Sequence, residues 1–480
     1  MAAVAGAGLL AAAGARGETL ADAIALAYQS NPTLQAERAT QRALDETYVQ
    51  AQAGYRPQGS FQAVVTGNTN NASSFGQFST TIPGQSTTSS ETITITQPIY
   101  TGGRVASQVS AAEAGVLAGR EALRQSEQSV LQNVIQAYVD VRRDQENQAI
   151  AVENVGLLRR QLDEAKARFD VGEITRTDVA QTEASVAAAQ AQLSASQAQL
   201  ANSRASYAAV VGRNPGTLAP EPPLTQLLPT SVEQAFDVAE HNNPQIRQAD
   251  YNEQSSAARV AQAKAQTRPS FGLQAQLGYS GGNLGLTSPF ANYSHDISIS
   301  AVANVPLFTG GTTSSQIRQA AENNNVDRIN IETTRRQVLL LVSQAWNQLL
   351  GARASLISNE EQVRAANIAF EGTRQEAQVG LRTTLDVLIT EQNLSNAQLA
   401  LVNSRHDEYF AGAVLLAATG SLFAETLTPG TPLYDPRANF DRVTHAFGWT
   451  PWDKGVAAID HLAAPKILER PAPVAPPPDQ

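Results

Sequence analysis

Gln97-Pro98-Ile99-Tyr100-Thr101-Gly102-Gly103 returns later in the chain as Val305-Pro306-Leu307-Phe308-Thr309-Gly310-Gly311. The displacement is 306 − 98 = 208 residues, and the same 208 carries Tyr138 onto Trp346, Val171-Gly172 onto Val379-Gly380 and Asp178-Val179 onto Asp386-Val387. No insertion separates the copies over this stretch, so whatever it builds cannot tolerate a register slip. Upstream, Asn31-Pro32 and Arg56-Pro57 recur as Asn243-Pro244 and Arg268-Pro269 at a displacement of 212. The change between the blocks, 212 − 208 = 4, belongs in a loop, where length can vary. A duplication this long is an architectural statement, and the fold is read repeat by repeat.

Each repeat divides into the same parts. A helix comes first, over 19–54 and 231–266, and the Asn-Pro early in each breaks it into a short and a longer piece. Two stretches of period two follow. Phe61, Ala63 and Val65 alternate with other residues, and Ile93, Ile95 and Ile99 oppose Thr92, Thr94 and Thr96. In the second repeat Phe271, Leu273, Ala275, Leu277 and Tyr279 form one face, and Ile297, Ile299, Ala301, Ala303, Val305 and Leu307 form its partner's. Strands of about ten residues, apolar on one side and polar on the other, suit a bilayer crossed at a tilt. The loops between them, 67–90 and 280–293, are polar, Gly-rich and of unequal length.

After each Thr-Gly-Gly the period changes to seven. Val134, Val141, Gln148, Val155, Leu162 and Phe169 form one row, and Val342, Leu349, Leu356, Val363, Phe370 and Ala377 form its copy. Helices over 104–169 and 312–377 would each reach roughly 100 Å, and a sustained heptad drives a left-handed supercoil. Each ends at a Val-Gly turn and returns as an antiparallel helix, 178–211 and 386–419. The organisation is therefore a remnant of a signal peptide at 1–17, a first repeat at 18–212, a Pro-rich linker at 213–230, a second repeat at 231–420, and a Pro-rich, partly disordered extension at 421–480.

Composition narrows the function. Only 6% of the 480 residues are aromatic, fewer than a globular core of this size carries, while Ala and Gln suit long close-packed helices. The net charge of −10 argues against a nucleic-acid partner, because phosphate binding needs a basic face. Without cysteine there is no disulfide, zinc thiolate, iron–sulfur cluster, thiol nucleophile or lipidated amino terminus, which fits a periplasmic or outer-membrane protein. The start, MAAVAGAGLLAAAG, resembles the later part of a secretory signal with Ala13-Gly14-Ala15 as cleavage site, though the first charge is Arg16; the plainer reading is an Ala-rich disordered start. No stretch of eighteen uninterrupted apolar residues follows, so no transmembrane helix is expected.

Enzyme chemistry has little to stand on. His241, His295, His406, His445 and His461 lack metal-ligand spacing, and there is no Walker motif or nucleophile elbow. The Gly-rich run 278–285 sits between two strands with no helix at its end, which removes the phosphate-loop reading. No metal and no cofactor are called for.

Two hairpins alone cannot cross a membrane, because their edges would leave backbone groups unsatisfied in lipid. Four strands are too few to close a barrel, for which eight is about the minimum. Oligomerisation is therefore required. Three chains give twelve strands and twelve helices; other ring sizes are permitted, and the trimer is the smallest that leaves an open lumen.

With these residues on the page, the duplicated unit resembles the TolC-like outer-membrane efflux protein family. The resemblance covers about 20–422 and is carried by Pro98-Ile99-Tyr100-Thr101-Gly102-Gly103 with its copy, by the run 171–179 and by the run 379–388. It implies a mixed α and β membrane protein, a homotrimeric export duct with a twelve-stranded barrel in outer-membrane lipid and an α-helical tunnel through the periplasm. Such a duct meets an inner-membrane transporter of the ABC, RND or MFS type through a periplasmic adaptor (membrane fusion) protein, for drug efflux or type I secretion. The resemblance also implies roles. Val171, Gly172, Thr175, Val379, Gly380 and Thr383 belong to the adaptor-docking tips. Arg382 matches an arginine that ties the second hairpin to the first near Thr177 and Asp178, and Asp386 matches the first of two aspartates ringing the constriction. The second of those positions is Ile389, and a tyrosine of some relatives is Ala377, so one carboxylate ring replaces two and one contact is lost. Helix capping is the plainer reading of Asp178 and Asp386, and both readings can hold at once. A rival class is a periplasmic coiled-coil structural or adaptor protein without a pore, which would lack the two amphipathic strand pairs.

Overall fold

The computed structural model describes residues 17–70, 84–282, 293–430, 432–446, 452–462 and 464. Most of the signal-like start, the outer parts of both strand loops and the terminal Pro-rich run lie outside the described residues. The chain forms two compact units, each drawing on both repeats. One comprises Met1–Ala39, Glu121–Arg247 and Thr333–Tyr434; the other comprises Thr40–Arg120, Gln248–Glu332 and Asp435–Gln480.

The duplicated Asn-Pro acts as expected. Helix α1 (Leu20–Ser30) stops at Asn31, which takes an extended backbone, and α2 (Pro32–Gln52) begins at the proline. The Asn31 side chain accepts from Thr33 N at 2.9 Å and donates to Val210 O at 3.1 Å. Asn243 repeats both bonds, to Gln245 N at 2.9 Å and Ala418 O at 2.8 Å, between α5 (Val232–Asn242) and α6 (Pro244–Ala265). One residue type thus ends one helix, starts the next and ties down the end of the return helix.

The long helices are α3 (Arg104–Asp170) and α7 (Thr312–Gln378), both 67 residues. Their return partners are α4 (Arg176–Val211) and α8 (Thr384–Ala418). In the first unit the heptad rows supply the core. Val134, Val141 and Val155 of one row, and Val342, Leu349 and Phe370 of the other, are buried. Tyr138 packs with Leu20, Ile24, Tyr207 and Val211, while its copy Trp346 packs with the Val338–Val342 layer. The Pro-rich linker is held as well, through buried Leu218 and Leu224 and a bridge from Glu18 to Leu218. Gly420 closes α8 with φ +75°, and a Cβ there would lie 2.7 Å from Asn242 O and Asn243 Cα, so only glycine fits.

The second unit holds one antiparallel sheet in the order β1 (Gln58–Asn70), β2 (Gly84–Tyr100), β3 (Ser270–Gly282), β4 (Tyr293–Asn304). Its registers obey the two displacements: Gln58 pairs with Thr96, and moving them by 212 and 208 gives Ser270 and Asn304, which also pair. The faces separate cleanly. Phe61, Ile93, Leu277 and Ile297 lie side by side across all four strands, and Ser60, Thr94, Gln276 and Ser298 do so on the opposite face. Ile297 and Ile299 are 71% and 80% exposed, which is costly in water. Among the described residues no helix is long and apolar enough to cross a membrane; these facts concern helices and leave the sheet aside.

The described part of the carboxyl-terminal segment carries short helices. It contains α9 (Ala424–Leu427), α10 (Pro436–Ala446) and α11 (Asp453–Leu462). In the second unit Val456 of α11 joins Ala51, Tyr55, Val105 and Val109 in a small core, and Phe440 of α10 meets the Tyr48 ring at 4.9 Å. Both helices are short and follow no repeat, which is why periodicity did not show them.

Candidate functional site

The two Val-Gly turns are built alike. Gly172 and Gly380 both have φ +78°, the left-handed backbone a helix end needs. Glu173 N donates to Arg168 O and Leu381 N to Glu376 O, each at 2.9 Å, closing the last turn of α3 and α7. Three residues on, Thr175 and Thr383 cap the return helices. Each threonine hydroxyl accepts from the aspartate N–H three residues later, and that aspartate accepts back from the threonine N–H and hydroxyl. Asp178 and Asp386 are therefore the third residue of a capping box, not the cap itself. Hydrogen bonds from the Thr383 backbone and hydroxyl hold the Asp386 carboxyl below the usual carboxylate range, with Arg382 adding a smaller pull; Asp178 is lowered by Thr175 in the same way. Both stay ionised at neutral pH.

Repeat symmetry fails beside these turns. Arg382 makes its ion pair with Glu376 at 2.8 Å, across the turn of its own hairpin, and the hydrogen bond to that carboxylate raises the Arg382 pKa above its ordinary value. The Arg382–Glu376 ion pair is thus local, and Thr177 is exposed at the start of α4. Ile389 lies half exposed one turn beyond Asp386. Val171, Val379 and Leu381 project at the turns as exposed apolar residues. A cleft between the two tips is lined by Arg168, Ile174, Arg374, Ala377 and Thr384, so Ala377 faces the first hairpin with only a methyl group.

One residue at this end was not singled out from sequence. Glu391 is 3% exposed on α8, in the layer of Val155, Leu158, Val186 and Leu388 that joins α8 to α3 and α4. Neither carboxylate oxygen has a hydrogen-bond partner, and burial pushes its pKa up to about 7 against the pull of Gln161 and Arg160. The signal was present: Val387, Leu388, Glu391 and Ser395 follow the three-and-four spacing of a buried stripe, with Glu in a core place. Its copy, Glu183, pairs instead with Lys166 at 3.6 Å on an exposed face. Among the described residues no cluster of His, Asp or Glu could hold a metal ion.

Residues 23–213 and 235–421 match the family described as outer membrane efflux protein. The chain belongs to that family. This outer membrane efflux protein is 36% identical over 426 residues to the outer membrane efflux protein BepC of Brucella suis, covering 89% of this chain and 90% of that one. It is 27% identical over 315 residues to the alkaline protease secretion protein AprF of Pseudomonas aeruginosa, covering 64% and 65%. Among solved structures, the outer membrane protein VceC of Vibrio cholerae matches 84% of this chain and 96% of its own at TM-score 0.69 and 24% identity. The CmeC outer membrane channel of Campylobacter jejuni matches 88% of each at TM-score 0.73 and 16% identity. The fold is that of these channels, and the efflux protein resides in the outer membrane of a Gram-negative bacterium as an export duct.

Proposed function

We propose that three copies of this efflux protein close a twelve-stranded barrel whose apolar face meets outer-membrane lipid and whose polar face lines the lumen. The helical hairpins continue that lumen as a tunnel toward the inner membrane. Its tips, Val171, Gly172 and Thr175 of one hairpin and Val379, Gly380 and Thr383 of the other, dock a periplasmic adaptor that holds an inner-membrane transporter. The observation that carries this reading is the sheet: one face apolar in register across four strands, and two long edges that nothing in the described chain covers. A pore-free coiled-coil protein has no use for such a sheet. The Brucella relative, matched over nine-tenths of its length, is named for efflux and the Pseudomonas relative for protease secretion, so small molecules are the first cargo assignment and a secreted protein the second.

At the closed end Asp386 supplies one ring of three carboxylates, and Arg382 with Asp178 and Thr177 governs how the second hairpin lies against the first. The test is conductance of detergent-purified protein in planar bilayers. The wild type is expected to need detergent, run as a trimer and pass cations preferentially. Asp386→Ala should move the reversal potential toward zero in a salt gradient, and Arg382→Ser should raise single-channel conductance several-fold. Extraction without detergent would reject the duct. Equal reversal potentials would remove Asp386 from the pore, and equal conductance would remove Arg382 from the gate.

A further inference from the structure

Both ring nitrogens of His406 face a carboxylate. Nδ1 donates to Asp407 Oδ1 at 2.9 Å on the same helix, and Nε2 stands 2.9 Å from Asp140 Oδ1 on α3. A neutral imidazole has one N–H and one lone pair, so it would set a lone pair against one of these oxygens. Only the imidazolium donates at both ends. The side chain is 11% exposed, and the Phe410 ring stacks on it at 6.3 Å. The network continues through α3. Asp140 also pairs with Arg143 Nη1 at 2.9 Å, and Arg143 Nε donates to Asp144 Oδ1 at 2.8 Å. The Ser203 hydroxyl of α4 donates to the other oxygen of Asp144, which is buried. Three helices are joined, and His406 carries the link from the second hairpin to the first.

Charge makes this link depend on the proton. Asp140, Asp144 and Asp407 bring three carboxylates to the cluster, and Arg143 brings one guanidinium. Most other charges around the ring are paired with one another. In the cavity of about 280 Å³ beside His406, Arg142 of α3 pairs with Glu146 and with Glu221 of the linker, and Glu408 of α8 pairs with Arg353 of α7. Arg405 lines the same cavity, and burial keeps the Tyr409 phenol protonated. Burial disfavours the charged His406 ring and Arg143 opposes it, yet the hydrogen bonds to Asp140 and Asp407 outweigh both and raise its pKa above the ordinary 6.5. Burial likewise pushes Asp140 up, but His406 and Arg143 hold it below the usual carboxylate range. Asp140 is therefore ionised wherever His406 titrates.

Repeat symmetry breaks here as well. At a displacement of 208 the copy of His406 is Ala198 and the copy of Asp140 is Gln348, so the copied contact carries no charge on either side. We propose that His406 is a proton-operated clasp between the two hairpins: as the imidazolium it ties α8 to α3, and on losing its proton it releases them. A histidine whose folded pKa stands above its unfolded one adds stability that is complete below the unfolded value and gone once the pH passes the folded one. The clasp is thus closed at pH 6 and open in alkaline medium. In the export duct proposed above, release frees the second hairpin to move against the first. That consequence rests on the duct reading; the clasp itself does not.

Hydrogen exchange of amides in 400–410, corrected for intrinsic rates, reads the clasp. The protein carries Glu391→Gln throughout, so that the other pH-sensitive carboxyl of α8 is silent. Between pH 6 and pH 9 the corrected exchange should quicken on the order of tenfold. His406→Gln should abolish the step and exchange fast at both pH values. Asp140→Asn should remove most of the step, because the carboxylate across the joint is gone. Asp407→Asn, on α8 itself, should keep the step and move it to lower pH. A step unchanged in His406→Gln would overturn the clasp. Equal steps in Asp140→Asn and Asp407→Asn would also overturn it, and these two keep the side-chain shape if His406→Gln folds poorly. Single-channel conductance in planar bilayers tests the consequence. A several-fold rise from pH 6 to pH 9 that His406→Gln abolishes is expected. A step in exchange with flat conductance would overturn the link to the lumen and keep the clasp. No channel at any pH, with the exchange step intact, would reject the duct alone.

Discussion

Asp460→Ala is expected to free the carboxyl-terminal helix from the rest of its unit and weaken that unit locally by about 3–5 kcal/mol. Asp460 is fully buried on α11, and its carboxylate accepts from Thr101 N at 2.7 Å, Thr101 Oγ1 at 2.9 Å, Gly103 N at 3.0 Å and Ala106 N at 3.2 Å. The first turn of every helix has N–H groups without an internal partner, and here a residue over 350 positions away supplies one negative charge to several of them. Hydrogen bonds to a charged group contribute about 1.5–3 kcal/mol each but are not additive, and alanine would also leave buried donors unpaired. Asp460→Asn keeps an acceptor and loses the charge, so about half the effect is expected. Limited trypsin digestion reads it directly, through the cut after Lys454 on α11. Rapid cutting in Asp460→Ala, slower cutting in Asp460→Asn and resistance in the wild type is the expected order; equal resistance in all three would show that the cap contributes nothing.

Legibility in the sequence followed the range of the interactions. Strand pairing, helix length and turn chemistry repeat at fixed spacing, so Asn31 with Asn243 and Gly172 with Gly380 could be placed from displacement alone. The hairpin registers were implicit in the same two numbers, because a strand pair that moves as a block keeps its partners. What escaped was contact between distant segments that share no period. Nothing in the 436–462 stretch announces that Asp460 will cap α3, and two short helices there read as the end of a pattern. Asp178 and Asp386 read from sequence as caps but sit three residues beyond them, since Asp serves in either place and Thr175 and Thr383 are equally good caps. Glu391 and Glu183 are the same residue in the same motif; only packing decides that one is buried and the other solvated.

The joint between α8 and the first hairpin is accordingly expected to loosen as pH rises, and Glu391→Gln should remove that dependence. A carboxyl whose pKa stands near 7 when folded and near 4.5 when unfolded binds its proton more tightly in the folded state. Below about pH 4.5 both states are protonated and burial carries no ionic penalty. Between 4.5 and 7 the unfolded state ionises first, so stability falls as pH rises, and above about 7 the full penalty is present. The separation corresponds to about 3 kcal/mol at most, and partial screening by solvent reduces the expected effect to about 2 kcal/mol. Arg160 is the cation acting on Glu391, and it offsets the penalty only in part. Hydrogen exchange of amides in 387–395, corrected for intrinsic rates, measures the local opening. At pH 8 wild-type amides should exchange about thirtyfold faster than those of Glu391→Gln, and at pH 5 the two should be nearly equal. Glu183→Gln, made in the same motif of the first repeat, should leave the profile unchanged because its carboxylate is already solvated and paired. An unchanged difference between Glu391→Gln and wild type from pH 5 to pH 8 would mean that Glu391 ionises freely. The buried layer would then act only through its shape, and Asp386 and Arg382 would be the charges left to act at this end of α8.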